Sequence, residues 1–168
     1  MKKILSILFL LSFIMYTSAQ YSLPYKPLSD FGKDTTAFIM YNFMERGDCY
    51  EGKTFKDIVD DLKIPIKDFV ISSSMQNINN SDGIYIYIYP LPVIEKLKEE
   101  LKDANIIEII WENELDVDEV HSIKRKYGQS GWNANIYDYF EKMKIKNVRV
   151  LVFKYSKYYK TYKNTVVM

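Results

Sequence analysis

Two apolar periods alternate along this chain, and together they predict its elements. Residues 84–89 read Ile-Tyr-Ile-Tyr-Ile-Tyr, with Ile84, Ile86 and Ile88 on one face and Tyr85, Tyr87 and Tyr89 on the other. A period of two is that of a strand with two unlike faces. Residues 67–74, 106–111 and 148–153 are apolar runs that read as three further strands, and the polar stretch 77–83 predicts a hairpin turn before the Ile/Tyr strand. Elsewhere the period lengthens. Phe55, Ile58, Val59 and Leu62 stand at i, i+3, i+4 and i+7, which predicts a helix over 54–62 with one buried face. Thr54, with Asp57 three residues on, caps its start, and Pro65 follows its end.

Four more helices follow from the same reasoning. Residues 92–102 set Ile94, Leu97 and Leu101 on one face behind Pro92. Residues 116–127 begin at Asp116 and end in Lys124-Arg125-Lys126 before Gly128, a helix charge-matched at both ends. Residues 132–143 predict a short helix burying Ile136, Tyr139 or Phe140, and Met143. Residues 34–45 predict another behind Asp34 or Thr35, with a strand over 37–41 as the competing reading. Strand and helix do not alternate regularly, so the pattern predicts an α+β fold: a single domain in which a mixed or antiparallel sheet of about four strands is covered, mainly on one face, by about five helices. The expected organisation is a signal peptide over 1–19, an extended leader over 20–33, one domain over 34–155, and a Lys/Tyr-rich tail over 156–168.

The signal peptide is read from Lys2 and Lys3, the apolar run 4–16 and the small residues Thr17-Ser18-Ala19 before Gln20. A basic start, an apolar stretch too short to span a bilayer and a small-residue cleavage site predict export, to the periplasm or the cell exterior. Gln20, not cysteine, stands directly after the cut, which argues against a lipid anchor, and no second long apolar segment predicts a membrane span. The 168 residues carry 23 Lys and Arg against 22 Asp and Glu, and loss of Lys2 and Lys3 tips that balance slightly to the acidic side. There is no global field for nucleic acid or an anionic membrane. Cys49 is the single cysteine, so no intramolecular disulfide forms and the core must hold the fold.

Residues 47–54, Gly-Asp-Cys-Tyr-Glu-Gly-Lys-Thr, spell the phosphate-binding string G-x-x-x-x-G-K-[ST]. Their chemistry opposes the match. Asp48 and Glu51 put carboxylates where a triphosphate would lie, Tyr50 adds bulk where backbone amides must approach it, and the preceding segment reads as helix. Nucleotide binding is rejected and no cofactor is expected. Glu112, Glu114, Asp116 and Asp118 are weak calcium candidates. They lack the glycine and spacing of a calcium loop, and acidic residues belong in a first helical turn in any case, so no metal site is expected. His121 is the only histidine, too few for a zinc site and without local support as a catalytic base.

Near the C-terminus, Lys154, Lys157, Lys160 and Lys163 recur every third residue with Tyr155, Tyr158, Tyr159 and Tyr162 between them. Alternating cations and aromatics suit a surface that holds a polyanion or stacks on rings and sugars. The competing reading is a sheet edge kept soluble by lysine. The Tyr85/Tyr87/Tyr89 row is likewise either a sugar platform or a face covered by a helix.

Tyr41-Asn42-Phe43, Tyr50, Gly52-Lys53-Thr54 and the run Asp61-Leu62-Lys63-Ile64-Pro65-Ile66-Lys67 make residues 34–67 resemble a group of small exported proteins of the Bacteroidota with no assigned function. The resemblance implies a bacterial, exported, single-domain protein whose Gly-Lys-Thr belongs to the start of a helix. It brings no catalytic residue with it. The expected function is non-catalytic binding of a protein or envelope-glycan partner, with the tail as the site. The rival is an envelope hydrolase using paired carboxylates, which need no sequence motif to meet in the fold.

Overall fold

The computed structural model describes residues 23–128 and 131–152 in full, and the backbone of 166–167. Helices α1 (Thr35–Ile39), α2 (Phe55–Leu62), α3 (Leu91–Glu99), α4 (Val117–Tyr127) and α5 (Ala134–Phe140) combine with strands β1 (Asp68–Ser72), β2 (Asn80–Tyr87), β3 (Ile106–Asp116), β4 (Ile145–Val152) and β5 (Val166–Val167) in an α+β fold. The strands lie side by side in chain order. The first four are antiparallel, and the two residues of β5 run parallel to Leu151 and Val152 of β4. No helix among the described residues is long and apolar enough to cross a membrane.

The alternation in β2 sorts the sheet into two faces. Ile84 and Ile86 join Ile107, Ile109, Val148 and Val150 on the face that packs against Phe38 and Phe43, Ile58 and Leu62 of α2, Val120 of α4 and Phe140 of α5. Aromatic rings fill the middle of this layer. Phe140 stacks on Trp111 at 5.6 Å between ring centres and meets Phe69 edge-on at 5.7 Å. On the opposite face, α3 is the described helix that lies over Tyr87 and Ile106, through Ile94 and Leu97. No other described helix covers that face.

The capping residues act as their types require. Asp34 accepts from the Ala37 amide, Asp116 from the Glu119 amide, and Asn133 from the amides of Asn135 and Ile136. Thr54 and Asp57 close a reciprocal capping box at the start of α2.

Several expectations change in detail. The segment 34–45 is helical, but only Thr35–Ile39 is regular; Met40–Glu45 widens into a π-helical turn. The Asn42 side chain there donates to the Phe38 carbonyl, the group a regular helix reserves for the Asn42 amide. The polar stretch expected as turn over 77–83 is turn only to Asn79, because Asn80 and Ser81 pair with Asp116 and Leu115 of β3. The same pairing carries β3 beyond Trp111 into polar sequence. Leu101, expected on the buried face of α3, lies past its end, exposed and at φ 53°.

Residues 23–27 have no regular secondary structure and are tied to the domain. Arg46 Nε donates to the Leu23 carbonyl at 2.8 Å, Tyr41 Oη to the Pro24 carbonyl at 3.0 Å, and Asn42 exchanges hydrogen bonds with both backbone groups of Lys26. A short 3-10 turn over Leu28–Phe31 then leads to α1. The predicted signal peptide lies outside the described residues.

Candidate functional site

The open part of the second sheet face forms a cleft of about 650 Å³. Strand register sets out its floor. Val70, Tyr85, Glu108 and Arg149 form one row across β1 to β4, and Ser72, Gly83, Ile110 and Asn147 form the next. The 3-10 turn Gly47–Tyr50 supplies one rim through Asp48, and the β1–β2 loop supplies the other through Ser73, Ser74, Met75 and Gln76.

Gly83 is required at this point. β2 and β3 shift register between Ser81 and Gly83, and a Cβ at Gly83 would stand 2.1 Å from the Ile109 carbonyl oxygen. The Ser81 hydroxyl, itself buried, donates to the Gly83 carbonyl at the shift.

Glu108 is the central charge of the floor. Only 6% of the residue is exposed. Its carboxylate lies 3.7 Å from Arg149 Nη1, across the strand pair that register brings together. Tyr85 stands on its other side. Burial first, and then the Glu108 charge, push the Tyr85 phenol above the ordinary tyrosine value. At the rim, Glu114 accepts from Ser74 Oγ at 2.7 Å and Asn80 Nδ2 at 2.8 Å, and these bonds hold its carboxyl below the usual carboxylate range.

Four buried side-chain atoms among the described residues have no hydrogen-bond partner: Asp82 Oδ1 in the cleft lining, Glu108 Oε2, which is the oxygen facing Arg149, Asn105 Oδ1, and Nε1 of Trp111, whose ring packs against Phe55 and Phe140 on the covered face. The walls carry six carboxylates, on Asp48, Glu51, Asp82, Glu108, Glu112 and Glu114, against the two cations Lys146 and Arg149.

The residues singled out from sequence fall in different places. Glu112 and Glu114 line the cleft. Asp116 is spent as the cap of α4, and Asp118 is exposed in its first turn. No group of three or more His, Cys, Asp or Glu among the described residues is arranged to hold a metal ion. His121 is exposed on α4 and Cys49 is a half-buried free thiol. Lys154, Tyr155, Lys157, Tyr158, Tyr159, Lys160, Tyr162 and Lys163 lie outside the described residues. The tyrosine row is divided. Tyr87 is buried beneath α3, Tyr89 lies past the end of β2, and Tyr85 alone faces the cleft.

The phosphate-loop string takes a shape that uses up its own donors. The Cys49 amide donates to Arg46, Glu51 to Asp48, Gly52 to Ile145 and Lys53 to Tyr50. The Phe55 and Lys56 amides, which open α2, donate to the Met143 and Glu141 carbonyls, and Lys53 sits over the Tyr50 ring at 5.5 Å. A phosphate cradle needs those amides free and a strand before the loop; here a helical turn precedes it.

Sequence reasoning passed over Glu108, Arg149, Asp82 and Trp111. A signal for two of them was present. Glu108 interrupts the run Ile-Ile-Glu-Ile-Ile-Trp and Arg149 interrupts Val-Arg-Val-Leu-Val. Lone opposite charges in two apolar strands are the mark of a cross-strand pair on the less covered face. Comparison with protein-family models, with curated proteins and with solved structures finds no match for this chain.

Proposed function

We propose that this protein is an exported, non-catalytic recognition domain of the bacterial envelope, and that the cleft on the open sheet face holds its partner. One observation carries the reading: strand register sets Tyr85, Glu108 and Arg149 side by side as a polar row on the floor of that cleft. Its volume is that of a site for a small molecule or one segment of a chain. The cleft thereby replaces the Lys/Tyr tail as the primary site.

The rival hydrolase has support from the same place, since Asp82 and Glu108 bring two carboxylates to one cleft. An inverting or retaining pair needs one carboxyl kept protonated as a general acid. Glu108 instead faces the Arg149 cation, and Glu114 is held ionised by two donors. That arrangement favours steady binding over proton transfer.

Thermal shift of the purified protein with soluble envelope-glycan fragments tests the reading. A ligand at a hundred times its dissociation constant adds about 2.7 kcal/mol, which is a rise of several degrees for a domain of this size. Glu108→Gln is expected to abolish the rise, and joint alanine replacement of Lys157, Tyr158, Tyr159 and Lys160 to leave it intact. The opposite result would return the site to the tail. Release of reducing ends from the fragments would establish the hydrolase instead.

A further inference from the structure

We infer that Tyr41, Asn42 and Arg46 form a recognition site for an extended, proline-spaced peptide, and that residues 23–27 fill it from within the same chain as a strap. The site is independent of the cleft and shares none of its lining residues. The strap reads Leu-Pro-Tyr-Lys-Pro. Each proline ring fixes its own φ near about −65° and turns the residue before it away from the helical region. Pro27 stands at φ −66° and ψ 158°, in the polyproline-II region. A polyproline helix has about three residues per turn, so the carbonyls of Leu23 and Lys26 fall on one side of it.

The domain holds both of those carbonyls from one helical turn. Arg46 Nε donates to the Leu23 carbonyl at 2.8 Å, and Asn42 Nδ2 to the Lys26 carbonyl at 2.9 Å. Asn42 Oδ1 accepts from the Lys26 amide at 3.2 Å, and Tyr41 Oη donates to the Pro24 carbonyl at 3.0 Å. These four bonds join side chains of the domain to the main chain of the strap. They read backbone and spacing, which is how aromatic-lined grooves take proline-rich segments. The Lys26 ammonium lies over the Tyr41 ring at 4.2 Å.

The site is built more firmly than its occupant. Asn42 is fully buried and Arg46 is 7% exposed, with Tyr50 and Asp61 against the guanidinium. Asn42 lies in the π-helical turn Met40–Glu45, a departure from the α-helix that is frequent at functional sites. On the strap, Pro24, Lys26 and Pro27 are exposed and Leu23 and Tyr25 half-buried. Among the described residues, no main-chain group of 23–26 bonds to another main-chain group. The strap therefore belongs to no sheet or helix that would have to open for it to leave. An emptied groove would strand a buried amide and a buried guanidinium. It thus selects an occupant that returns two carbonyls three residues apart and one N–H. A proline-spaced peptide does so with little conformational freedom left to lose.

Fluorescence anisotropy of labelled Ser-Leu-Pro-Tyr-Lys-Pro-Leu, the sequence of residues 22–28, tests this on the chain 20–168. Tethering gives the strap an effective concentration in the millimolar range, so the parent is expected to bind the peptide weakly. Pro24→Gly with Pro27→Gly loosens the strap and leaves the site intact, and is expected to bind the peptide about tenfold more tightly than the parent. In the loosened chain, Tyr41→Phe is expected to weaken binding about threefold to tenfold. A peptide methylated on its lysine amide nitrogen, which cannot donate to Asn42, is expected to bind at least about tenfold more weakly. The parent offers the same test without substitution: millimolar peptide is expected to speed hydrogen exchange at the Lys26 amide as the strap is displaced. A concentration-dependent dimer of the parent that the peptide dissolves into monomers supports the site and makes a second copy's strap its partner. A loosened chain that melts cooperatively and binds no peptide at millimolar concentration overturns the inference, as does equal binding of the methylated peptide. If the loosened chain does not fold, unchanged Lys26 exchange in the parent overturns it.

Discussion

Arg46 shows how a single side chain organises the first third of the chain. It is 7% exposed, donates to the Leu23 carbonyl and to Asn42 Oδ1 at 3.3 Å, and lies 3.8 Å from Asp61. Tyr50 Oη donates to the same Asp61 carboxylate at 2.8 Å, and Tyr25 Oη to the Asp61 carbonyl at 2.9 Å. A guanidinium this deeply buried is tolerable only with its donors satisfied and a counter-charge in reach. Asn42, Tyr50 and Asp61 together hold this network in place. Asp61→Asn keeps the shape and removes the counter-charge. Because Asp61 is partly exposed, the expected loss is about 1–3 kcal/mol, measured by urea unfolding. An unchanged midpoint would mean that Arg46 is fully served by Leu23 and Asn42.

Elements differ in how much of their making is local. Helix α2 was readable because its four apolar residues share one face and its cap is a neighbour in sequence, Thr54 with Asp57. Helix α4 was readable for the same reason, from Asp116 to Gly128. Strand ends were not. β3 runs on through Glu112–Asp116 because Asn80 and Ser81 of β2 supply its partners, and a pairing between distant segments leaves no trace in either one's hydrophobicity. The same pairing makes Gly83 indispensable. Its added Cβ would meet strand backbone 2.1 Å away, which no side-chain rotation relieves. Gly83→Ala is therefore expected to part β2 from β3 and yield protein without a cooperative melting transition, monitored by circular dichroism. A folded Gly83→Ala protein would show that the register shift can relax. Gly52 has no atom within 4 Å of an added Cβ but stands at φ 74°, so glycine is favoured there by backbone conformation and at Gly83 by close backbone approach.

At the scale of the molecule, an aromatic-rich interior sets the alkaline limit of stability. Burial pushes the phenols of Tyr50, Tyr85, Tyr87 and Tyr139 above the ordinary value of 10.0; Asp61 adds to the effect at Tyr50, and Glu119 at Tyr139, which reaches about 12. A folded-state value above the unfolded one means that the fold favours the neutral phenol. The associated stability is complete below pH 10 and is lost as pH rises toward the folded values. The melting temperature is expected to fall steadily above pH 10, and Tyr139→Phe to make that fall shallower, followed by thermal melts with tyrosinate absorbance as a second probe. Identical slopes in the two proteins would mean that Tyr139 ionises without opening the fold.

Periodicity and caps, which depend on near neighbours, were enough to predict the α+β class and the order of the main helices and strands, with residues 34–45 left between helix and strand. They also determined that the Ile/Tyr strand has two unlike faces. Which face is covered, and how far, was decided only in the tertiary structure. α3 reaches across Tyr87 and stops, and antiparallel register then sets Tyr85, Glu108 and Arg149 side by side in the gap. Glu108 and Arg149 are 41 residues apart in sequence numbering. A cleft is a property of what fails to cover a sheet, and no single segment encodes it.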